Sequence, residues 1–151
     1  MLKAKDIMTK KVITLTPETS ISQAARILLE KRVHGCPVVD PDGRLVGILC
    51  QSDLVAQQKK LALPTVFTLL DGLVPMTSMT ELDREMEKIA AIAVSQAMSP
   101  DPEYVGPETP IEEIATLMVE RGFHTLPVVD NGKVAGVIGM EDVLRTITGQ
   151  K

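Results

Sequence analysis

Sliding the chain 90 positions along itself lays a second copy of its pattern on the first, and this repeat limits the possible folds more than any other feature. Met8 falls on Met98, Pro17-Glu18-Thr19 on Pro107-Glu108-Thr109, Ile21 on Ile111, Ala25 on Ala115, Glu30 on Glu120 and His34 on His124. Pro37-Val38-Val39-Asp40 then meets Pro127-Val128-Val129-Asp130. One residue drops out, after which Gly43 pairs with Gly132, Gly47 with Gly136 and Asp53 with Asp142. The gap falls where a turn is expected, and turns change length at little cost. The first copy turns through Asp40-Pro41-Asp42-Gly43, suited to type I with Pro in second place. The second turns through Asp130-Asn131-Gly132, suited to type I′.

Each copy reads as β-α-β-β-α. Val12–Leu15 predicts a short strand, matched more weakly by Glu103–Val105. Thr19 and Thr109 are the predicted helix N-caps, with Pro110 in the first turn and Thr109-x-x-Glu112 as a capping box. Behind them Ile21, Ala24, Ala25, Leu28 and Leu29, and in the second copy Ile111, Ile114, Ala115 and Met118, recur at helical spacing and give each helix one apolar face. Cys36–Val39 with Leu45–Leu49, and Leu126–Val129 with Val134–Ile138, predict two apolar hairpins; second helices begin near Ser52 and near Glu141. A unit of roughly 50 residues has too small a core to stand alone, so the two copies should pack together about a pseudo-twofold axis. The predicted fold class is α/β (α+β), with repeats at 1–58 and 94–151 and an insert at 59–93.

The insert splits into an apolar, Pro-interrupted run, Leu61 to Met79, and a charged helix from about Glu81 capped near Thr80 and Asp83. Leu82, Met86, Ile89 and Ala93 form the apolar line of that helix. The run is more hydrophobic than an exposed linker should be. It either folds back on its own chain or meets another subunit or partner protein, and self-association into a homodimer is the reading favoured here.

Composition excludes several functions. Only 2% of residues are aromatic, Trp is absent, the formal net charge is -4 and the pI is about 5.2, so neither base stacking nor phosphate-backbone binding is supported and no nucleic-acid partner is expected. The apolar run is broken by Pro64, Asp71, Gly72 and Pro75, too short for a membrane span. No secretory h-region follows Met1, and Cys36 and Cys50 form no C-x-x-C pair, which fits reduced thiols in a cytoplasmic protein. His34 with Cys36 offers two metal ligands where three or four are needed, and the second copy has Leu126 in place of the thiol, so no metal site is expected. Glu18, Glu108, Asp40 and Asp130 are explained by helix starts and turns, and no nucleophile with a positioned base accompanies them, so no enzyme is expected.

The run Asp6-Ile-Met-Thr9, then Thr16-Pro-Glu-Thr19, His34-Gly-Cys-Pro-Val-Val-Asp40 and Gly47-Ile-Leu-Cys-Gln-Ser-Asp-Leu54, repeated in the second copy through Asp142, resembles a cystathionine-β-synthase (CBS) domain. The resemblance implies a Bateman-type pair with two clefts between its halves, sensing AMP, ATP or S-adenosylmethionine, with no cofactor required. It implies that Asp53 and Asp142 hold ribose and that His34 and His124 approach phosphate. By motif position, Ile13, Val105, Cys36 and Leu126 would line the adenine pocket. In that family a Ser or Thr three residues before the Asp helps hold phosphate; here Cys50 and Gly139 stand there, leaving the Gly139 backbone N–H as a substitute donor. Each Asp also suits a helix cap, and each His a hydrogen-bonded strand entrance. The alternative function is a protein-interaction module with no physiological nucleotide, and in either case a regulated partner is implied.

Overall fold

The computed structural model describes residues 1–58 and 92–149; the apolar run and most of the predicted insert helix lie outside them. The elements in order are α1 (Ala4–Ile7), α2 (Ile21–Lys31), β1 (Gly35–Val39), β2 (Leu45–Cys50), α3 (Gln51–Gln58), α4 (Val94–Ala97), β3 (Ser99–Pro100), α5 (Ile111–Arg121), β4 (Thr125–Asp130), β5 (Lys133–Gly139) and α6 (Met140–Ile147). Both hairpins form where expected, β1 antiparallel to β2 and β4 to β5, each with a register shift at the same place, Val38/Val39 and Val128/Val129. Gly43 N–H closes the first turn on Asp40 O at 2.9 Å, with φ of +84° at Gly43. Asn131 and Gly132 both take positive φ, as a type I′ turn demands.

The halves are joined by exchange. The segment that precedes the first hairpin packs on the second, and the converse holds. Ala4 N–H donates to Thr109 O, Lys5 N–H to Pro107 O, and Thr9 exchanges both bonds with Val137. Reciprocally, Val94 N–H donates to Thr19 O, Ser95 N–H to Pro17 O, and β3 pairs with β2. Among the described residues there are accordingly two cores. Leu15, Ala24, Leu28, Cys36, Val38 and Leu49 are closed by Val94; Val105, Ile114, Met118, Leu126, Val128 and Ile138 are closed by Ala4. Gly47 and Gly136 face the Met98 and Met8 side chains so closely that an added Cβ would collide with the sulfur. The halves also meet at the hairpin tips, where Val134 N–H donates to Gly43 O.

Four local expectations are corrected. The strands at Val12–Leu15 and Glu103–Val105 shrink to single parallel bridges, Leu15 with Val38 and Val105 with Val128, because turns at Thr16–Thr19 and Gly106–Thr109 carry the chain away immediately. The N-caps are Ser20, whose Oγ accepts from Gln23 N–H at 3.2 Å, and Pro110, which has no side-chain cap bond; no Thr109–Glu112 box forms. Thr19 and Thr109 instead serve the preceding turns, accepting from Thr16 and Gly106 N–H. Leu29 lies outside the apolar face and is 75% exposed. Ala93, placed on the insert helix, bridges Ser20 and caps α4, as Lys3 bridges Pro110 and caps α1.

An ion cluster fastens the first exchange: Lys3 and Lys5 Nζ lie 2.6 and 2.7 Å from the two oxygens of Glu108. Hydrogen bonds from the two ammonium groups pull the Glu108 carboxyl from an ordinary 4.5 down to about 2. Because the folded value lies below the unfolded one, this contribution is complete above pH 4.5 and fades as pH falls towards 2. The group is exposed, so the effect is modest and sensitive to salt. In urea titrations, the stability gap between the wild type and Glu108→Gln is expected to narrow from pH 5 to pH 2.5; a constant gap would show the cluster to be energetically silent.

Candidate functional site

The site begins where each hairpin runs directly into a helix. Asp53 and Asp142 are the third residues of α3 and α6, and their Oδ2 atoms accept the N–H of Cys50 and Gly139, each at 2.8 Å. Both therefore cap helices. The second oxygen of Asp142 is held by the Arg145 guanidinium. Gly139 N–H, expected as a free anion donor, is thus already taken by Asp142, and Met140 N–H goes to His124 O at 3.2 Å. The glycine contributes space, not a donor.

Two clefts related by the internal symmetry separate the halves. The first, about 230 Å³, lies between Lys11, Ile13, Arg32 and His34 of the first half and Gly139, Asp142 and Arg145 of the second. The second, about 740 Å³, lies between Cys50 and Asp53 on one side and Asp101, Glu103, Arg121 and Leu126 on the other. His34 and His124 line both. A further cavity of about 540 Å³ adjoins the first cleft and shares Thr9, Asp142 and Arg145 with it, so the Arg145–Asp142 pair forms part of the partition between them.

Of the residues expected to line the pocket, Ile13 reaches the first cleft and Leu126 the second. Cys36 and Val105 do not reach either. Both are core residues, 0% and 5% exposed: Cys36 faces inward from β1, and Val105, held by its single bridge to Val128, is the counterpart of the buried Leu15. The position opposite Ile13 in the second cleft is Glu103. Burial pushes the Cys36 and Cys50 thiols up to about 11, with further contributions from Cys50 on Cys36 and from Asp53 on Cys50, so both remain protonated packing groups near neutrality. Among the described residues no cluster of three or more His, Cys, Asp or Glu could hold a metal ion, and no helix is long and apolar enough to cross a membrane.

The CBS domain family model matches residues 4–60 and again 94–149. The chain is a pair of CBS domains. It is 36% identical over 132 residues to the CBS domain-containing protein CBSX2, chloroplastic, of Arabidopsis thaliana; the match covers 85% of this chain but 56% of CBSX2, so the chain spans little more than half that relative's length. It is 28% identical over 153 residues to protein MJ1426 of Methanocaldococcus jannaschii, covering 95% of this chain and 89% of the other. The crystal structure of CBSX2 in complex with AMP superposes with a TM-score of 0.75 at 30% identity, covering 99% of this chain and 98% of that one.

Lys11, Arg32, Asp101, Glu103, Arg121 and Arg145 in this CBS pair were not among the residues picked from sequence. They lie at positions where the two copies disagree, whereas a search for shared motifs selects positions where they agree. Arg32 carried a signal nonetheless: its counterpart in the second copy is Gly122. Both sit past a helix end in the left-handed region, φ +54° and +70°, which favours glycine.

Proposed function

We propose that this CBS pair is a regulatory module that binds an adenosine-type ligand between its halves and converts occupancy into a change in their arrangement. The carrying observation is the pairing of Asp142 with a cleft that also presents Lys11, Arg32 and His34: an acceptor for ribose hydroxyls beside cations for phosphate. The AMP complex of CBSX2, at 30% identity over nearly the whole chain, supports the same ligand class. Asp142 keeps its capping bond and turns its other oxygen to ribose as Arg145 swings away; His34 and His124 stand between the clefts within reach of either occupant. The module needs no cofactor and performs no catalysis, and its site is cytoplasmic. A ligand changes the arrangement only through unequal affinity for two states.

A second reading, an interaction module without a physiological nucleotide, rests on a different observation. Met140, Leu144 and Ile147 form an exposed apolar line on α6, and Val55 on α3 repeats Leu144 by symmetry at 63% and 59% exposure. A homodimer would cover these faces. Calorimetry with AMP, ATP and S-adenosylmethionine, run beside sedimentation velocity, separates the two. Saturable heat with any of the three, on either a monomer or a dimer, supports the first; no heat from a stable dimer supports the second.

A further inference from the structure

The internal symmetry permits a position-by-position comparison of the two clefts, and their charges are opposite. Where the first carries Lys11 the second carries Asp101; Ile13 is answered by Glu103, Arg32 by Gly122 and Arg145 by Ala56. Around the first cleft three cations, Lys11, Arg32 and Arg145, stand against Glu141 and Asp142. Around the second, Arg121 stands against Asp53, Asp101 and Glu103, and Arg121 is already paired with Glu103 at 3.2 Å. His34 and His124 line both and so cannot discriminate between them.

We infer, taking the adenosine-type reading as given, that a phosphorylated adenosine ligand enters the first cleft alone, and that Lys11 and Arg32 set this selectivity. A phosphomonoester carries nearly two negative charges at neutral pH. In a concave site with low-dielectric walls, the surrounding charges act on it more strongly than they would in open water. Among the described residues Lys11 and Arg32 of the first cleft have no carboxylate partner, whereas Asp53 and Asp101 of the second have no cation partner. The larger volume of the second cleft does not offset this, because size admits a nucleoside but charge decides whether its phosphate is tolerated. Room in the first is extended when the phosphate draws Arg145 off Asp142, since that pair divides the cleft from the adjoining cavity. Backbone geometry points the same way. Arg32 is held at φ +54°, where glycine would be at ease and where the second copy has glycine, so the first copy keeps a cation at this rim against local backbone preference.

The test is calorimetry of the full chain with AMP and, separately, with adenosine. One AMP per chain is expected for the wild type. Arg32→Gly is expected to melt at the same or a higher temperature, since the substitution suits the left-handed backbone, while weakening AMP by about tenfold and adenosine much less. Asp101→Lys combined with Glu103→Ile transplants the first cleft's residues into the second and frees Arg121, so AMP stoichiometry should rise to two; Asp101→Asn with Glu103→Gln, which keeps a residue tolerant of the φ of +47° at 101, should move it in the same direction. Two AMP per chain in the wild type, or an Arg32→Gly variant that binds AMP unchanged, overturns the selectivity while leaving the adenosine reading intact. Failure of AMP, ATP, S-adenosylmethionine and adenosine alike overturns that reading and the selectivity together, whereas binding of S-adenosylmethionine alone overturns only the selectivity.

Discussion

Removing residues 1–9 is expected to unfold the second CBS domain first, although the cut falls at the start of the first one. The segment contributes Ala4 to the second core, packs Ile7 and Met8 against it, and supplies five backbone hydrogen bonds to residues 107, 109, 111 and 137. At roughly 1.5 to 3 kcal/mol for each large apolar side chain taken from water, the loss of Ile7 and Met8 alone, both only partly buried, is about 3 kcal/mol. That corresponds to a melting shift on the order of 10 °C for a chain of this size. Hydrogen exchange locates the damage: the amides of Ile114 to Met118 should lose protection while those of Ala24 to Leu28, closed by Val94, keep theirs. Gly136→Val probes the same contact without a truncation. Its side chain would displace Met8, a clash of the kind that costs about 1 to 3 kcal/mol, and Met8→Ala on the same chain should recover part of it. Uniform loss of protection across both halves would mean that the two cores open as one unit.

The repeat made the hairpins legible because their signals are local: apolar alternation, and turn residues suited to the φ that Gly43, Asn131 and Gly132 adopt. It could not show which half each lead segment joins. Asp6-Ile7-Met8 and Gln96-Ala97-Met98 are consistent with either partner, and the deciding contacts, Met8 on Gly136 and Met98 on Gly47, lie far apart in sequence. The same non-local cause moved the helix caps. Ile21 and Ile111 N–H are engaged by Ile92 O and Leu2 O from the opposite segment, so the helices begin one residue later than their threonines suggest. In the site, both copies carry the aspartates at the same helix start, and each lines one cleft. Val105 stays in the core because the repeat makes it the counterpart of Leu15 and gives Ile13 the counterpart Glu103, and Cys36 is fully buried where its counterpart Leu126 just reaches the second cleft.

Asp142→Ala is expected to weaken AMP by about tenfold to a hundredfold, the range for losing hydrogen bonds to a charged acceptor. The same substitution should cost about 1 kcal/mol of stability, because Gly139 N–H loses its cap. Those two effects have different origins and can be separated. An asparagine at 142 still presents a carbonyl oxygen to Gly139, so Asp142→Asn should retain most of the stability. It cannot hold two ribose hydroxyls as a carboxylate does, and it leaves Arg145 without its ion pair, so its affinity should fall between wild type and alanine. The arginine gives this series its discriminating power. Arg145 holds the carboxylate oxygen that ribose would need in the proposed site, and its displacement by ribose would place a released cation beside the phosphate. On that proposal, ribose and phosphate recognition would be coupled through one side chain. If the aspartate were only a cap, Asp142→Ala would melt early yet bind AMP like the wild type, and ribose recognition would have to be sought elsewhere in the cleft.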